Sequence, residues 1–232
     1  MKELQANNGK HIEIQVGNTT YLRFPIKTHV ITKKDDITDV IQKYASSYLQ
    51  KGDTLCVSER VVAITQGRSF KIVDIHPTTF ATWLSKRVHK SPYGIGLASP
   101  WTMELAIREV GYIRILFGAV VAMITRPFGI KGLFYHIAGR QAAAIDGPCD
   151  YTLPPYNKCA TLAPKDPNKV ARKVAKEIGC GIVIIDANDL GVDVLGMDDS
   201  EIKKEEIEKI FKDNPLGQAS EQTPLCIVRK KK

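Results

Sequence analysis

The chain has 232 residues, of which 44% are hydrophobic and 25% are charged, which is an ordinary globular composition. This length suits one large domain or two closely packed lobes, with a hydrophobic core large enough for stability without disulfide cross-links. The net charge of +8 is dispersed apart from the run Arg229–Lys232, so it suits an anionic small molecule or nucleic acid, or solubility alone. A nucleic-acid binder ranks last, because no aromatic-interleaved basic face or known motif accompanies the charge.

Cysteine usage and hydropathy predict where the protein works. The five cysteines show no CxxC spacing and cannot all pair, which favours a reducing compartment. Residues 1–8 lack the apolar core of a signal peptide. The most apolar run, Ile115–Ile124, is far shorter than the roughly 20 residues that span a bilayer. We therefore expect a cytoplasmic protein with no membrane partner.

The first quarter of the sequence predicts β-strands, followed by a helix and then a further strand. Residues 11–31 alternate as strands do, with a turn at Gly17. Apolar residues between Ile37 and Tyr48 recur at helical spacing, and two aspartates precede them. Thr54–Ser58 is predicted as a buried strand.

Two arginines flank the apolar segment that follows this strand. Arg68 comes directly after Gly67, and a glycine there lets the backbone approach a ligand while the guanidinium binds a phosphate or carboxylate. The alternative is a helix or strand that ends at Gly67, with Arg68 in solvent. Composition alone favours this alternative.

The middle of the chain predicts two helices and two central strands. Residues 77–89 suit a helix with Phe80, Trp83, Leu84 and Val88 inward, and 91–100 suit a loop. Ser99 before Pro100 is typical of the start of a helix, expected over 101–110 with a surface Glu104–Arg108 pair. The apolar runs 113–125 and 133–137 are then predicted to be central strands.

The last third predicts an α/β unit followed by a helix and a strand. Asp166-Pro167 begins a helix that ends at Gly179, and the apolar run Gly181–Asp186 follows as a strand. A charged helix over 200–212 and a final strand over 223–229 complete the chain. No tandem repeat or low-complexity linker interrupts it.

Aspartates at the ends of apolar runs are the strongest chemical signal. Asp146 and Asp186 each end such a run, where an unpaired carboxylate is costly and a divalent cation or an arginine would compensate it. Mg²⁺ prefers oxygen ligands completed by phosphate. The alternative is ordinary turn chemistry, which is favoured for Asp189 and Asp193.

Familiar nucleotide and hydrolase motifs are absent from the sequence. It has no G-x-x-x-x-G-K-[ST], no G-x-G-x-x-G at a strand–helix junction and no G-x-S-x-G. A protein of this kind that handles phosphate would use scattered arginines and a carboxylate-held metal.

The order of segments resembles the coenzyme F-420:γ-glutamyl ligase family. The segment from Arg60 to Arg68 is similar to the family's K-x-V-S-x-x-E-G-R, and Ala143–Asp146 to its A-G-[IV]-D-x-S-N. Leu162–Pro167 is similar to L-L-P-x-D-P, and Ile185-Asp186 to the strand that ends in D-T-F-G-R. The resemblance covers nearly the whole chain in the right order.

The resemblance implies an α+β fold of mixed sheets and packed helices. It implies one domain over 1–232, made of two intimately associated lobes without a flexible linker, and a homodimer. The implied activity is the addition of L-glutamate or a similar amino acid to the carboxylate of a small-molecule acceptor. GTP, or possibly ATP, would drive it with Mg²⁺ or Mn²⁺ through an acyl phosphate.

The resemblance also assigns residues to roles. Asp146 and Asp186 would hold metal, with Asp189 beside them. Arg60 and Arg68 would be catalytic. Gly67, Arg68 and Asn188 would contact the nucleotide phosphates.

The sequence departs from the family pattern at several of these motifs. Gln66 stands where the family has glutamate, and Asp186–Gly191 replaces a longer basic-aromatic loop. Two alternatives therefore stay open: a ligase that acts on a different acceptor, or a non-catalytic relative that binds a nucleotide or anion.

Overall fold

A computed structural model of the chain describes residues 4–88, 96–130, 132–188, 191–199 and 202–231. The strands, in chain order, are β1 (Glu13–Val16), β2 (Thr19–Ile26), β3 (Thr54–Ser58), β4 (Ser69–Lys71), β5 (Cys159–Thr161), β6 (Gly181–Asn188), β7 (Gly191–Met197) and β8 (Leu225–Lys230). The helices are α1 (Ile37–Tyr44), α2 (Glu59–Thr65), α3 (Thr79–Ser85), α4 (Pro100–Val110), α5 (Tyr112–Thr125), α6 (Leu133–Ala138), α7 (Arg140–Ala143), α8 (Pro167–Ile178) and α9 (Lys204–Ile210).

The chain divides into two compact units. The first, here called the sheet unit, contains the residues up to Gly67 and those from Pro164 onward. The second, called the helical unit, is Arg68–Ala163. Both ends of the chain therefore contribute to one unit, and the other is a continuous segment between them.

The sheet unit is built on a six-stranded mixed sheet in the order β1-β2-β8-β3-β6-β7. The β3 and β6 strands are parallel, and the other neighbouring strands are antiparallel. Side chains alternate between the two faces. On one face Cys56, Val183 and Ile185 pack with Ile207 and Phe211 from the α9 region. The helices α2 and α8 contact the sheet as well, and α1 packs on α8.

Local sequence explains the boundaries of α8. Pro167 occupies its first turn, and Gly179 ends it in the left-handed conformation at φ +80°. Gly196 of β7 lets this first turn approach the sheet, since a Cβ at that position would lie 2.5 Å from the carbonyl carbon of Pro167. Any larger residue at position 196 would force α8 away from the sheet.

The structure confirms the predicted α+β class, with its mixed sheet and packed helices. It also confirms the predicted strands near the start, middle and end of the sheet unit, which became β1, β2, β3, β6 and β8. The predicted helices that became α1, α4 and α8 are also present, and Ser99 caps α4 by accepting a 3.1 Å hydrogen bond from the Thr102 amide. Residues 91–95, half of the predicted 91–100 loop, lie outside the described residues.

The two predicted central strands over 113–125 and 133–137 are wrong, because both segments are helical, as α5 and α6. In α5 the residues Ile115 and Gly118 are buried, and apolar residues also cover the opposite side. A helix that is apolar on two sides shows no helical period, so its sequence looks like a buried strand.

The core of the helical unit is formed by α3 to α7. Leu84, Met103, Ile115 and Phe134 are among its buried residues, and Gly118 brings α5 against the backbone of Phe134. Trp83, predicted to face inward, is instead exposed and stacks beneath Arg87, whose guanidinium carbon lies 3.8 Å from the ring centroid.

Glu104 is buried, although the sequence suggested a surface pair with Arg108. Its carboxylate accepts hydrogen bonds from the backbone amide and the hydroxyl of Thr78, both 2.9 Å, and from Arg108 Nε at 2.9 Å. Burial raises the pKa of Glu104, but these hydrogen bonds outweigh it and hold the pKa below its usual value. Glu104 thereby fastens α4 to the start of α3.

We expect the substitution Glu104→Gln to destabilise the protein by about 1–2 kcal/mol at pH 7, because a charge-assisted contact is lost. The lowered pKa means that the contribution is complete above the unfolded-state pKa of about 4.3 and disappears as the pH falls through the folded-state pKa. Urea unfolding of both proteins at pH 7 and at a series of acidic pH values measures this. If the difference in unfolding free energy between the two proteins stays constant across the pH series, the ionised Glu104 carboxylate is not the source of the stability.

Candidate functional site

The carboxyl ends of β3 and β6 place two acidic residues at one edge of the sheet. These parallel strands pair with Ser58 opposite Ile185. Glu59, the first residue of α2, follows Ser58, and Asp186 follows Ile185 within β6, so both residues lie at the same end of this strand pair. In open sheets with parallel strands, ligands bind outside such carboxyl ends. Arg60 follows Glu59 in the first turn of α2 and is partly buried.

Asp186 lies directly opposite Asp193 on the neighbouring antiparallel strand. Residues that face each other in this way have their side chains on one face of the sheet, and like charges there repel. Lys204 Nζ lies 3.2 Å from Asp193 Oδ1 and offsets part of this charge. Both aspartates are partly exposed, and their carboxylate oxygens are the donors that a hard cation prefers.

The hairpin that carries this pair is short. The last pairing is Asn188 with Gly191, so residues 189–190 alone connect β6 to β7. Asn188 Nδ2 is 3.4 Å from Asp186 Oδ1, so the amide lies beside the carboxylate. Asp189, a predicted metal ligand, lies outside the described residues.

Asp146 belongs to the helical unit and forms an isolated bridge beside the two-stranded β4–β5 sheet. It exchanges two 2.9 Å backbone hydrogen bonds with Thr161, and Thr161 pairs with Ser69 on the other side. The Ser69 and Thr161 hydroxyls are 2.9 Å apart. A carboxylate and two hydroxyls therefore stand in a row on one face, and all of them offer oxygen.

Arg68 is neither in solvent nor open to a ligand in this structure. Its Nε donates to the Ala163 carbonyl at 2.6 Å, and its Nη2 forms a 2.6 Å ion pair with Glu109. Its side chain is 15% exposed. A phosphate at this guanidinium would have to displace or share the Glu109 carboxylate.

Gln66 and Gly67 end α2. Gly67 adopts φ +71°, which explains a glycine there without a ligand. The Gln66 side chain donates to the Lys165 carbonyl at 2.9 Å and accepts from the Lys165 amide at 2.7 Å. A glutamate could accept but not donate, so this two-way contact needs the amide that distinguishes the chain from the family pattern.

A pocket of about 180 Å³ lies beside Gln66 in the sheet unit. Asp36, Thr65 and Lys173 line it, and Lys173 Nζ is 3.9 Å from Asp36 Oδ2. Drug-sized ligands need roughly 300–1,000 Å³, so this pocket is too small for a nucleotide.

The predicted site residues fall in both units. Arg60, Gly67, Asp186 and Asn188 lie in the sheet unit, and Arg68 and Asp146 in the helical unit. Asp186 and Asn188 come together on one hairpin. Among the described residues, no group of three or more His, Cys, Asp or Glu side chains could hold a metal by itself. A metal here would need phosphate oxygens as well.

Sequence analysis missed Glu59, and it favoured turn chemistry for Asp193, which the structure places in β7 opposite Asp186. Glu59 precedes Arg60 and is buried at the end of β3. The usable signal for Asp193 was its symmetrical placement with Asp186 about positions 189 and 190 of the sequence.

Taken together, the mixed sheet and its paired acidic residues define an α+β protein with several carboxylates at one end of its parallel strand pair. The chain matches the model of the F420-0:gamma-glutamyl ligase family over residues 25–194, from β2 into β7. It belongs to this family, and membership indicates a γ-glutamyl ligase of the F420 biosynthesis type.

A comparison with curated proteins finds no match. Within the described residues, no helix combines the length and apolarity needed to cross a bilayer.

Proposed function

We propose that the protein is a GTP-dependent, divalent-metal-dependent ligase that joins L-glutamate to the carboxylate of an F420-type acceptor. One observation carries this proposal beyond family membership: Asp186 and Asp193 face each other as like charges at the carboxyl edge of the sheet. Lys204 already offsets part of the repulsion within this pair, and a divalent cation beside both carboxylates would reduce it further. Mg²⁺ is commonly bound by one or two carboxylates together with substrate phosphates, which fits this donor set.

The two aspartates predicted from the sequence have separate roles in this proposal. Asp186, with Asp193, would hold one metal at the β6–β7 hairpin. Asp146 would hold another with the Ser69 and Thr161 hydroxyls. Bound there, Mg²⁺ or Mn²⁺ would neutralise the charge that develops on the transferred phosphoryl group.

The proposed reaction has two steps, phosphoryl transfer and amide formation. The acceptor carboxylate oxygen attacks the γ-phosphorus of GTP, the bond to the β,γ-bridging oxygen breaks, and GDP leaves. The glutamate amine then attacks the acyl carbon, phosphate leaves with the electron pair of the C–O bond, and the amine loses a proton. Arg60, next to the acidic edge, would orient phosphate oxygens, as guanidinium groups do.

Arg68 can bind a phosphate of the nucleotide if its guanidinium gives up the ion pair with Glu109. Its ion pair with Glu109 holds the guanidinium in place before substrate arrives. A phosphate group can offer two oxygens to a guanidinium, as a carboxylate does, and it carries more negative charge, so it competes with Glu109 for Nη2.

We expect the purified protein to release phosphate from GTP when Mn²⁺, L-glutamate and the deazaflavin acceptor are all present. The acceptor mass should rise by one glutamyl residue for each phosphate released. Omission of glutamate, acceptor or metal should each reduce the release to background. ATP in place of GTP tests nucleotide choice, and other amine donors test the amino acid.

A second candidate is a non-catalytic nucleotide-binding relative. Gln66 favours it, because the amide that replaces the family's glutamate is occupied by the Lys165 backbone. Metal-dependent GTP binding without phosphate release, across a panel of carboxylate acceptors, would support this candidate and overturn the ligase.

A homodimer remains part of the proposal, as the family resemblance implies. Sedimentation equilibrium of the protein measures it directly.

A further inference from the structure

The helix α5 has two apolar sides, and only one of them is used by the fold. Ile115 and Gly118 lie on the buried side. The opposite side presents six apolar residues within one helical stripe, here called the α5 apolar face: Ile113, Leu116, Phe117, Val120, Met123 and Ile124. Their spacing of three, four and seven residues places them together.

The α5 apolar face is strongly exposed. Ile113 is 83% exposed, Phe117 60% and Ile124 61%. Phe128 and Ile130 extend the exposed apolar surface beyond the end of the helix. Isolated exposed apolar residues are ordinary, but a contiguous patch of this kind marks an interaction surface.

Aromatic residues adjoin the start of α5. Tyr112 packs on Phe80 with ring centroids 4.5 Å apart, and Phe80 in turn stacks with Trp83 at 6.1 Å. Trp83 and Tyr112 are both exposed. Tryptophan and tyrosine are the residues that concentrate at the boundary between lipid and water.

The charge of this segment identifies the partner. Between Glu109 and Asp146 the sequence has four cationic residues and no acidic one: Arg114, Arg126, Lys131 and Arg140. An apolar stripe accompanied by cations alone complements an anionic lipid surface. A second copy of the chain fits poorly, because its own cations would meet these with no acidic residue in the segment to pair them.

From this geometry we propose that the α5 apolar face docks the protein on the surface of an anionic lipid bilayer. The 14 residues of α5 extend about 21 Å, which is shorter than the roughly 30 Å hydrocarbon core, so the helix lies in the interface and does not cross it. The sequence predicted no membrane partner because this apolar run is too short to span a bilayer, and that length does not exclude docking at the bilayer surface. The proposal is independent of the ligase reaction.

Flotation of the full chain with vesicles tests the proposal. We expect binding to vesicles of phosphatidylcholine mixed with phosphatidylglycerol, weak binding to phosphatidylcholine alone, and loss of binding as salt rises. The double substitution Phe117→Ser/Ile124→Ser should lower the partition coefficient at least about tenfold. Arg126→Gln should lower it roughly fivefold on the anionic vesicles only.

Val73→Ser is the matched control, because Val73 is 75% exposed in the same unit but lies outside the α5 apolar face. Its vesicle binding should equal that of the wild type. Equal thermal midpoints for all variants will show that the fold is intact. The proposal fails if anionic vesicles do not bind at low salt, or if Phe117→Ser/Ile124→Ser binds them as well as wild type. It also fails if light scattering shows that this double substitution only converts a dimer to a monomer, which would make the face an interface between copies.

Discussion

Replacing Asp186 by asparagine is expected to weaken Mn²⁺-dependent binding of GTP at least about a hundredfold, and ligation with it. Substitution of groups that merely support a metal ligand costs 10–100-fold, so loss of a ligand should cost no less. Isothermal titration of GTP in the presence of Mn²⁺ measures the effect. Asp193→Asn should produce a smaller loss, since Lys204 already neutralises part of that carboxylate.

The control for this substitution is Asp199→Asn, which removes the same charge from a side chain that is 90% exposed. It should leave GTP affinity unchanged. Asp186→Asn also relieves the repulsion with Asp193, so its thermal midpoint without metal should not fall. If Asp186→Asn binds GTP and Mn²⁺ as tightly as the control, Asp186 is not a metal ligand.

Replacing Arg229 by methionine is expected to cost about 3–5 kcal/mol of stability, because it would leave a buried carboxylate unpaired. Arg229 on β8 donates to both oxygens of Asp53, at 2.8 and 2.7 Å, and to the Tyr48 carbonyl at 2.9 Å. The Asp53 side chain is 1% exposed. The contact with Asp53 raises the pKa of Arg229 further above its ordinary value.

Urea unfolding measures this cost, and two further variants define its origin. Lys230→Met removes the same charge from the exposed neighbouring residue and should change stability by no more than about 0.5 kcal/mol. The double variant Asp53→Asn/Arg229→Met should be more stable than Arg229→Met alone, because no buried charge is left behind. If the double variant loses as much stability as Asp53→Asn and Arg229→Met lose together, the cost comes from lost packing contacts and not from a buried charge.

Local signals predicted much of the sheet unit. The continuous apolar run of β6 is bounded by glycine and aspartate, and α8 is marked by Pro167 and Gly179. Each signal lies within a few residues of the element that it defines. Such elements can be predicted because their boundaries depend on backbone preferences that a short segment carries by itself.

The errors have a different origin. Apolar residues of α5 lie on both its buried and its exposed sides, which removes the period that distinguishes a helix from a strand. The facing of Asp186 and Asp193 depends on strand register, since a shift of one residue would turn them to opposite faces. The role of Gln66 depends on Lys165, which is 99 residues away.

The predicted metal pair shows the same limit. The sequence argument took Asp146 and Asp186 to be buried at strand ends, and both are partly exposed. Asp186 lies within β6, two residues before its end, and Asp146 follows α7 and itself forms a bridge to Thr161. The carboxylates were predictable as candidates, but their depth and neighbours were set by segments far away in the sequence.

The two hydrogen bonds between the Gln66 side chain and the Lys165 backbone have a consequence for how the chain is organised. They tie together the two points at which the chain leaves the sheet unit and returns to it. Within the helical unit, the Leu162 amide likewise donates to the Arg68 carbonyl at 3.0 Å. The first and last residues of the helical unit are therefore neighbours. This unit is a continuous insertion between α2 and α8, so changes in its length or sequence need not alter the register of any strand in the six-stranded sheet.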